Sequence, residues 1–271
     1  NQSAKAFEDL RLEMLALKKA LYDSRSQQET HKLALKFGEK SKYISVTEWY
    51  EKGQDYYWGR KGENKNYNEA IKWYQLAADQ GHDAAQFKLS ILYHNGWGVQ
   101  QSFKQAFYWS QKAADQGNVK AQYWAGVNYD IGIVVQQDFK QALYWFQKAA
   151  DQGYTLSQNK VAHMYFIGRG TKENYGQALY WYQKAASLND AHAQRNLGGM
   201  YFYGQGCQQN YKQAFYWYQK AADQGNSNAQ YLLGEMFELG FGVQQNNKRA
   251  AFWYQKSADQ GYQKSVSALR N

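Results

Sequence analysis

Every 36 residues the chain repeats itself, and this step restricts its architecture more than any other feature. Trp73, Trp109, Trp145, Trp181, Trp217 and Trp253 keep the step, as do Ala pairs beginning at Ala77, Ala113, Ala149, Ala185 and Ala221. The phrase QKAADQG stands at 111–117, 147–153 and 219–225, and the fourth unit replaces it with QKAASLN at 183–189. A period of about 20 to 50 residues is the mark of solenoids, propellers and arrays, so the unit of folding is the repeat.

Each unit contains two helical patterns. In NYKQAFYWYQKAADQG, Tyr211, Ala214, Trp217, Tyr218 and Ala221 are spaced by threes and fours along one face, which predicts a helix, named B here. The residue before it is Asn66, Ser102, Asp138, Asn174, Asn210 or Asn246, each able to accept a bond from the first free amides of a helix. In NAQYLLGEMFELGFGV, Ala229, Leu232, Leu233, Met236 and Phe237 line one side of a second helix, A, which ends at Gly240 and Gly242. Helices of about 12 (A) and about 14 (B) residues joined by Gly turns make a hairpin too small to bury its own apolar face, so hairpins must stack. Six hairpins are expected from near Val46, with a shortened seventh helix A at Lys264 to Arg270.

Two sets of small residues carry backbone requirements. Gly126, Ala162, Gly198 and Gly234 lie mid-helix, where Gly costs about 1 kcal/mol against Ala, so a neighbouring helix is expected to approach closely there. Gly81, Gly117, Gly153, Gly225 and Gly261 lie one step beyond helix B, with Asn189 at the same place in the fourth unit. A left-handed residue ending the helix suits Gly, and Asn better than most others.

The stretch AQYLLGEMFELGFGVQQNNKRAAFWYQKSADQG starts A-x-x-x-L-G-x-x-Y/F-x-x-G-x-G-V and finishes K-A-x-x-W-Y-x-K-A. It resembles the SEL-one-like repeat (SLR) family, relatives of the tetratricopeptide repeats, over about residues 46 to 271. The resemblance implies an all-α, right-handed α/α superhelix of stacked antiparallel hairpins, usually an adaptor for other proteins. Many bacterial members are exported, some neutralise toxins, and some branches carry a disulfide in every repeat. This chain lacks those cysteines, so the penicillin-binding activity ascribed to the cysteine-rich branch is not carried over.

Residues 1–45 stand outside the repeat. Phe7, Leu10, Met14, Leu17 and Leu21 predict a helix with a narrow seam, either a cap on the first hairpin or a surface for self-association. No run is apolar enough for a membrane span. Asn1 is not an initiator Met, so a removed export signal and a periplasmic location are expected, with the cytoplasm kept open. Formal charge is +9, yet basic and acidic residues are interleaved, so no nucleic-acid partner is expected.

Catalysis needs unique residues converging on one place, whereas here the recurrent residues recur in every repeat. Asp79, Asp115, Asp151, Asp223 and Asp259 read as turn residues, and Ser187 replaces them in the fourth unit. His31, His82, His94, His163 and His192 show no zinc-binding spacing, although His163 and His192 sit on successive helices A. Cys207 replaces a small apolar turn residue, and the G-x-G turns at Gly96 and Gly204 lack the strand and Lys of a phosphate loop. Lys112, Lys148, Lys184, Lys220 and Lys256 read as a solvated ridge of helices B. No enzyme, metal or cofactor is expected, with a hydrolase acting on cell-envelope material as the remote alternative.

If helices A line a concave groove, the columns that differ from unit to unit hold the partner. These columns give Phe87, Ile91 and His94, then Tyr123, Val127 and Asp130, then Asn159, His163 and Phe166. They continue with Arg195, Phe202 and Tyr203, then Tyr231, Glu235 and Glu238, and each column ends beside Asn95, Ile131, Ile167 or Leu239. Their apolar members are types that anchor interfaces, although some can instead pack between helices. With Glu48, Glu51 and Asp55 at one end and Glu235 and Glu238 at the other, the expected occupant is a protein segment, extended or helical, apolar in its centre. The expected function is a scaffold or adaptor, with an immunity protein against a cognate toxin or effector as the alternative.

Overall fold

The computed structural model describes residues 45–269. Among them lie thirteen helices and no strand. They fall into two compact units that divide between Gln116 and Gly117. The first unit holds α1 (Val46–Trp58), α2 (Tyr67–Asp79), α3 (Asp83–Asn95) and α4 (Phe103–Asp115). The second begins with α5 (Val119–Ile131), α6 (Phe139–Asp151), α7 (Thr155–Ile167) and α8 (Tyr175–Ser187). It continues with α9 (Ala191–Tyr203), α10 (Tyr211–Asp223), α11 (Ser227–Leu239), α12 (Asn247–Ala258) and α13 (Gln263–Ala268).

Odd-numbered helices are the A helices of the repeat and even-numbered ones the B helices. Each A packs on the B that follows it, α1 on α2 through α11 on α12, giving the stacked-hairpin, all-α fold that the 36-residue step requires. Instead of about 12 and about 14 residues, both helices of a typical hairpin run 13 residues. The N-terminal seam at Phe7 to Leu21 lies outside the described residues, as does Arg270 at the expected end of the last helix. No helix among the described residues is long and apolar enough to cross a membrane.

All six expected N-caps of helices B hold their helices. Asn66, Ser102, Asn174, Asn210 and Asn246 each accept from the amide three residues on, and Asp138 accepts from Lys140 and Gln141 at 2.9 and 3.0 Å. Each such cap contributes about 1 kcal/mol. At the other end, the Asp column accepts from the Gln four residues earlier, at 2.6 to 3.0 Å. The residue closing that turn is left-handed in every unit, with Asn189 at φ 66° where Gly153 has 87° and Gly225 has 87°.

The mid-helix glycines receive rings. A Cβ on Gly126 would stand 2.6 Å from the Phe146 ring, and one on Gly198 2.6 Å from the Tyr218 ring. At these positions helix B therefore seats an aromatic ring directly on the backbone of helix A with no room for a side chain, whereas α7 has Ala162 at this register and α8 has Tyr182. In the α3–α4 hairpin the corresponding positions are Ser90 and Ser110, so a side chain appears on helix A where the ring is missing. Trp73, Trp145, Trp181 and Trp253 are buried beside the Ala column, as expected for core rather than for base-stacking surfaces.

A buried glutamine in each of α3, α5, α7, α9 and α11 ties successive hairpins together. Gln86, Gln122, Gln158, Gln194 and Gln230 are at most 4% exposed. Gln86, Gln158, Gln194 and Gln230 donate through Nε2 to the carbonyls of Ala78, Ala150, Ala186 and Ala222, at the end of the preceding helix B. The Oε1 atoms of Gln86, Gln122, Gln194 and Gln230 are served by the glutamine of the next A-D-Q-G phrase. Gln116 donates to Gln86 at 2.7 Å, Gln152 to Gln122 at 2.8 Å, Gln224 to Gln194 at 2.7 Å and Gln260 to Gln230 at 2.8 Å. The fourth unit has Leu188 in place of that glutamine, and the Oε1 of Gln158 is left buried without a donor.

Leu188 is 55% exposed, so its own packing is small. Leu188→Gln should therefore stabilise the chain by about 1 kcal/mol, and Gln194→Ala should destabilise it by about 1 to 3 kcal/mol, because it empties a buried site and removes the side-chain donor of the Ala186 carbonyl. Chemical denaturation of the two variants beside the parent checks both signs.

Candidate partner-binding face

Helix A places its variable residues in three settings. The first column is a seam. Tyr123 sets its ring 5.4 Å from Tyr154, Asn159 donates to the Asp190 carboxylate at 3.0 Å, and Tyr231 sits 5.5 Å from Tyr262. Tyr154, Asp190 and Tyr262 are the N-cap residues of α7, α9 and α13, so this column is anchored on the start of the next helix A. Phe87, expected to face a partner, is only 8% exposed and belongs to the interior of the first unit. A ring so little exposed is not available to a partner, which is the reason for this correction.

The second setting is the loop side. Phe166 lies 5.3 Å from Tyr175, Phe202 lies 5.1 Å from Tyr211, and His94 lies 5.2 Å from Phe103 in the first unit. These side chains pack on the first residue of the next helix B. Phe166 and Phe202 are half-buried, as are Ile91 and Val127, whereas His94 is exposed.

The third setting is open. Ile131, Ile167, Tyr203 and Leu239 end α5, α7, α9 and α11, and they are 54%, 46%, 67% and 60% exposed. Three of these four were only neighbours of the expected site residues. The signal that could have ranked them higher is their place next to the left-handed Gly that ends each helix A, where the chain leaves and no later turn covers the side chain.

Charge on this face is unevenly satisfied. Asp130 pairs with Arg169 at 3.5 Å, and the Arg169 guanidinium also lies 4.0 Å from the Phe139 ring centre. Glu235 accepts from the Tyr231 hydroxyl and Glu238 from the Tyr254 hydroxyl, both at 2.6 Å. Burial, followed by these carboxylates as acceptors and charges, pushes both phenols well above their ordinary range. Arg195 forms no ion pair among the described residues, and its buried Nε has no acceptor. His163 is held below the usual imidazole range by desolvation first and then by Lys160, Arg195 and Arg169, against an opposing pull from Asp130.

The acidic end expected in the first unit is largely spent on structure. Glu48 closes a capping box with Ser45, and Asp55 is buried beside Lys61 at 3.4 Å. Glu51 is exposed and outside any such contact, and Glu48 is exposed but held in its capping box.

The candidates for chemistry resolve into structural roles. His82 caps α3 through Nδ1 and stacks on Tyr50 at 4.6 Å. Cys207 is half-buried, its thiol pushed up by burial. In the G-Q-G turn, a Cβ on Gly206 would stand 2.5 Å from the Tyr175 carbonyl oxygen, so this glycine lets two hairpins meet. No group of three or more His, Cys, Asp or Glu among the described residues could hold a metal ion. On the outer face of helices B, each Lys of the expected ridge covers an aromatic ring four residues earlier, as with Lys148 4.8 Å from Tyr144 and Lys184 4.6 Å from Tyr180.

Stacked hairpins with structural residues repeated in every unit, and a variable face on helix A, define a helical-repeat protein of the tetratricopeptide-like class. The chain belongs to the Sel1 repeat family, whose repeat matches at residues 48–82, 83–118, 119–154, 155–190, 191–226 and 227–262. Sel1 repeat proteins are generally non-enzymatic scaffolds for protein interactions. The chain is similar to a protective antigen of uropathogenic Escherichia coli strains with an SLR fold, at 31% identity and a TM-score of 0.80. That match covers 99% of this chain and 57% of the antigen, so the chain spans little more than half of its length. A Sel1 repeat protein from Oxalobacter formigenes is also 31% identical, with a TM-score of 0.71 over 78% of this chain and 84% of the other. No curated protein matches the chain at a significant level.

Because Arg195 opposes protonation of His163, Arg195→Gln should raise the His163 pKa towards the ordinary imidazole value. An NMR titration of the imidazole in both proteins checks this; an unmoved titration would separate the two side chains electrostatically.

Proposed function

We propose that this chain is a non-enzymatic scaffold that docks another protein on the face presented by the ends of its helices A. The observation that carries the reading is the row Ile131, Ile167, Tyr203 and Leu239, apolar and open in four successive repeats of the second unit. Apolar side chains repeated at one exposed position cost solubility and are the types that anchor interfaces. The aromatic residues on the outer face of helices B contrast with them, since their own lysines cover them. Tyr123 and Phe166 are half-buried, with their rings packed against Phe146 and Tyr175. The narrower form of the reading is an immunity protein, for which a toxin encoded beside this chain is the partner to try first.

Ile167→Lys with Tyr203→Lys should abolish capture of the partner from the native cell, while far-UV circular dichroism keeps its helical signal. Tyr180→Lys, on the outer face of α8, should leave capture intact. Capture that survives the first pair contradicts the reading.

A further inference from the structure

The first seam column contains one side chain without a partner. Tyr123, Asn159 and Tyr231 each meet the N-cap residue of the next helix A. Arg195 occupies the same position on α9, and neither Asn226, the N-cap that follows, nor any carboxylate among the described residues engages it. Its Nε is buried and unsatisfied. A buried donor without an acceptor is costly, and a charged one more so.

One helix A further on, the situation is reversed. Glu235 and Glu238, one turn apart on α11, have phenol donors but no cation among the described residues. The Tyr218 phenol on α10 is near enough to both groups for Arg195 and Glu235 to act on its proton in opposite directions. Gly199, one turn after Arg195, adds no side chain, and a Cβ there would reach only the Tyr218 hydroxyl at 3.5 Å. A guanidinium and a carboxylate pair thus stand on successive helices A, about 10 Å apart by the usual spacing of packed helices.

Resting on the docking reading above, we propose that α9 and α11 together recognise a bipolar segment of the partner protein. Its aspartate or glutamate seats on Arg195, and its lysine or arginine seats between Glu235 and Glu238. At about 3.3 Å per residue the two charges lie two to four residues apart in an extended segment. At about 1.5 Å per residue they lie six to eight apart in a helical one. The exposed Tyr203 and Leu239 at the ends of the same two helices supply the apolar contact beside the charges. Charge pairs of this kind set register and partner choice, and the loss of one member of a close pair reduces affinity steeply.

The test uses the full chain and a random linear peptide library displayed on phage. Selected peptides should carry an acid and a base at one of those separations. Arg195→Glu should weaken them about tenfold or more, and a peptide whose acid is changed to Lys should regain that loss on the Arg195→Glu protein alone. Glu235→Lys with Glu238→Lys should behave the same way towards the base. Peptides without the charge pattern, or binding that ignores these reversals, overturn the inference; if Tyr203→Lys still abolishes their binding, the docking reading stands without it. A selection that enriches no peptide counts against both.

Discussion

A missing partner is costly to a buried amide, and a buried glutamine in five successive repeats turns that cost into a register. Gln194 is satisfied on both sides only when the carbonyl of Ala186 lies before it and Gln224 reaches back from the next hairpin. A hairpin that slid or rotated would leave buried polar atoms unpaired, at about 1 to 3 kcal/mol each. Apolar packing alone is far less directional, because Ala and ring contacts accept small shifts. The ladder therefore specifies how hairpins stack within each unit, while the rings seated on mid-helix glycines set how closely the two helices of one hairpin approach.

This division of labour explains why a functional face can vary. Helix B is spent on structure: its cap, its Trp and Ala face, its Asp turn and its Gln rung recur almost unchanged. Helix A buries one side beneath the next helix B and gives its seam column to the following N-cap. What remains is the end of helix A, where Ile131, Ile167, Tyr203 and Leu239 vary among Ile, Tyr and Leu while all staying open. Arg195, Glu235 and Glu238 add charge next to that row.

The repeat itself, six N-caps, the left-handed Asn189 and the helix pairing were all legible in the sequence, because each follows from local backbone chemistry at a fixed step. The Gln rungs were equally periodic, yet the Asp of the same phrase drew attention first. A glutamine looks like surface until its burial is known, and the gap at Leu188 has meaning only once Gln158 is seen to lack a donor. The variable columns located the face but not its depth. Phe87 and Tyr231 share a column, and only packing shows that the first is interior while the second lies half-open with its hydroxyl on Glu235. Glu48 could have been set apart by the S-x-x-E pattern of Ser45 to Glu48, the mark of a capping box, whereas the lack of a cation beside Glu238 shows only in the packing.

Site-specific photo-crosslinking in the native cell tests the central claim most directly. A benzophenone side chain placed at Tyr203 or Leu239 should yield a covalent adduct with one partner, while the same group at Tyr216 on the outer face of α10 should yield none. An adduct formed from Tyr216 and not from Tyr203 or Leu239, or no adduct from any of them, would contradict a docking face at the ends of helices A.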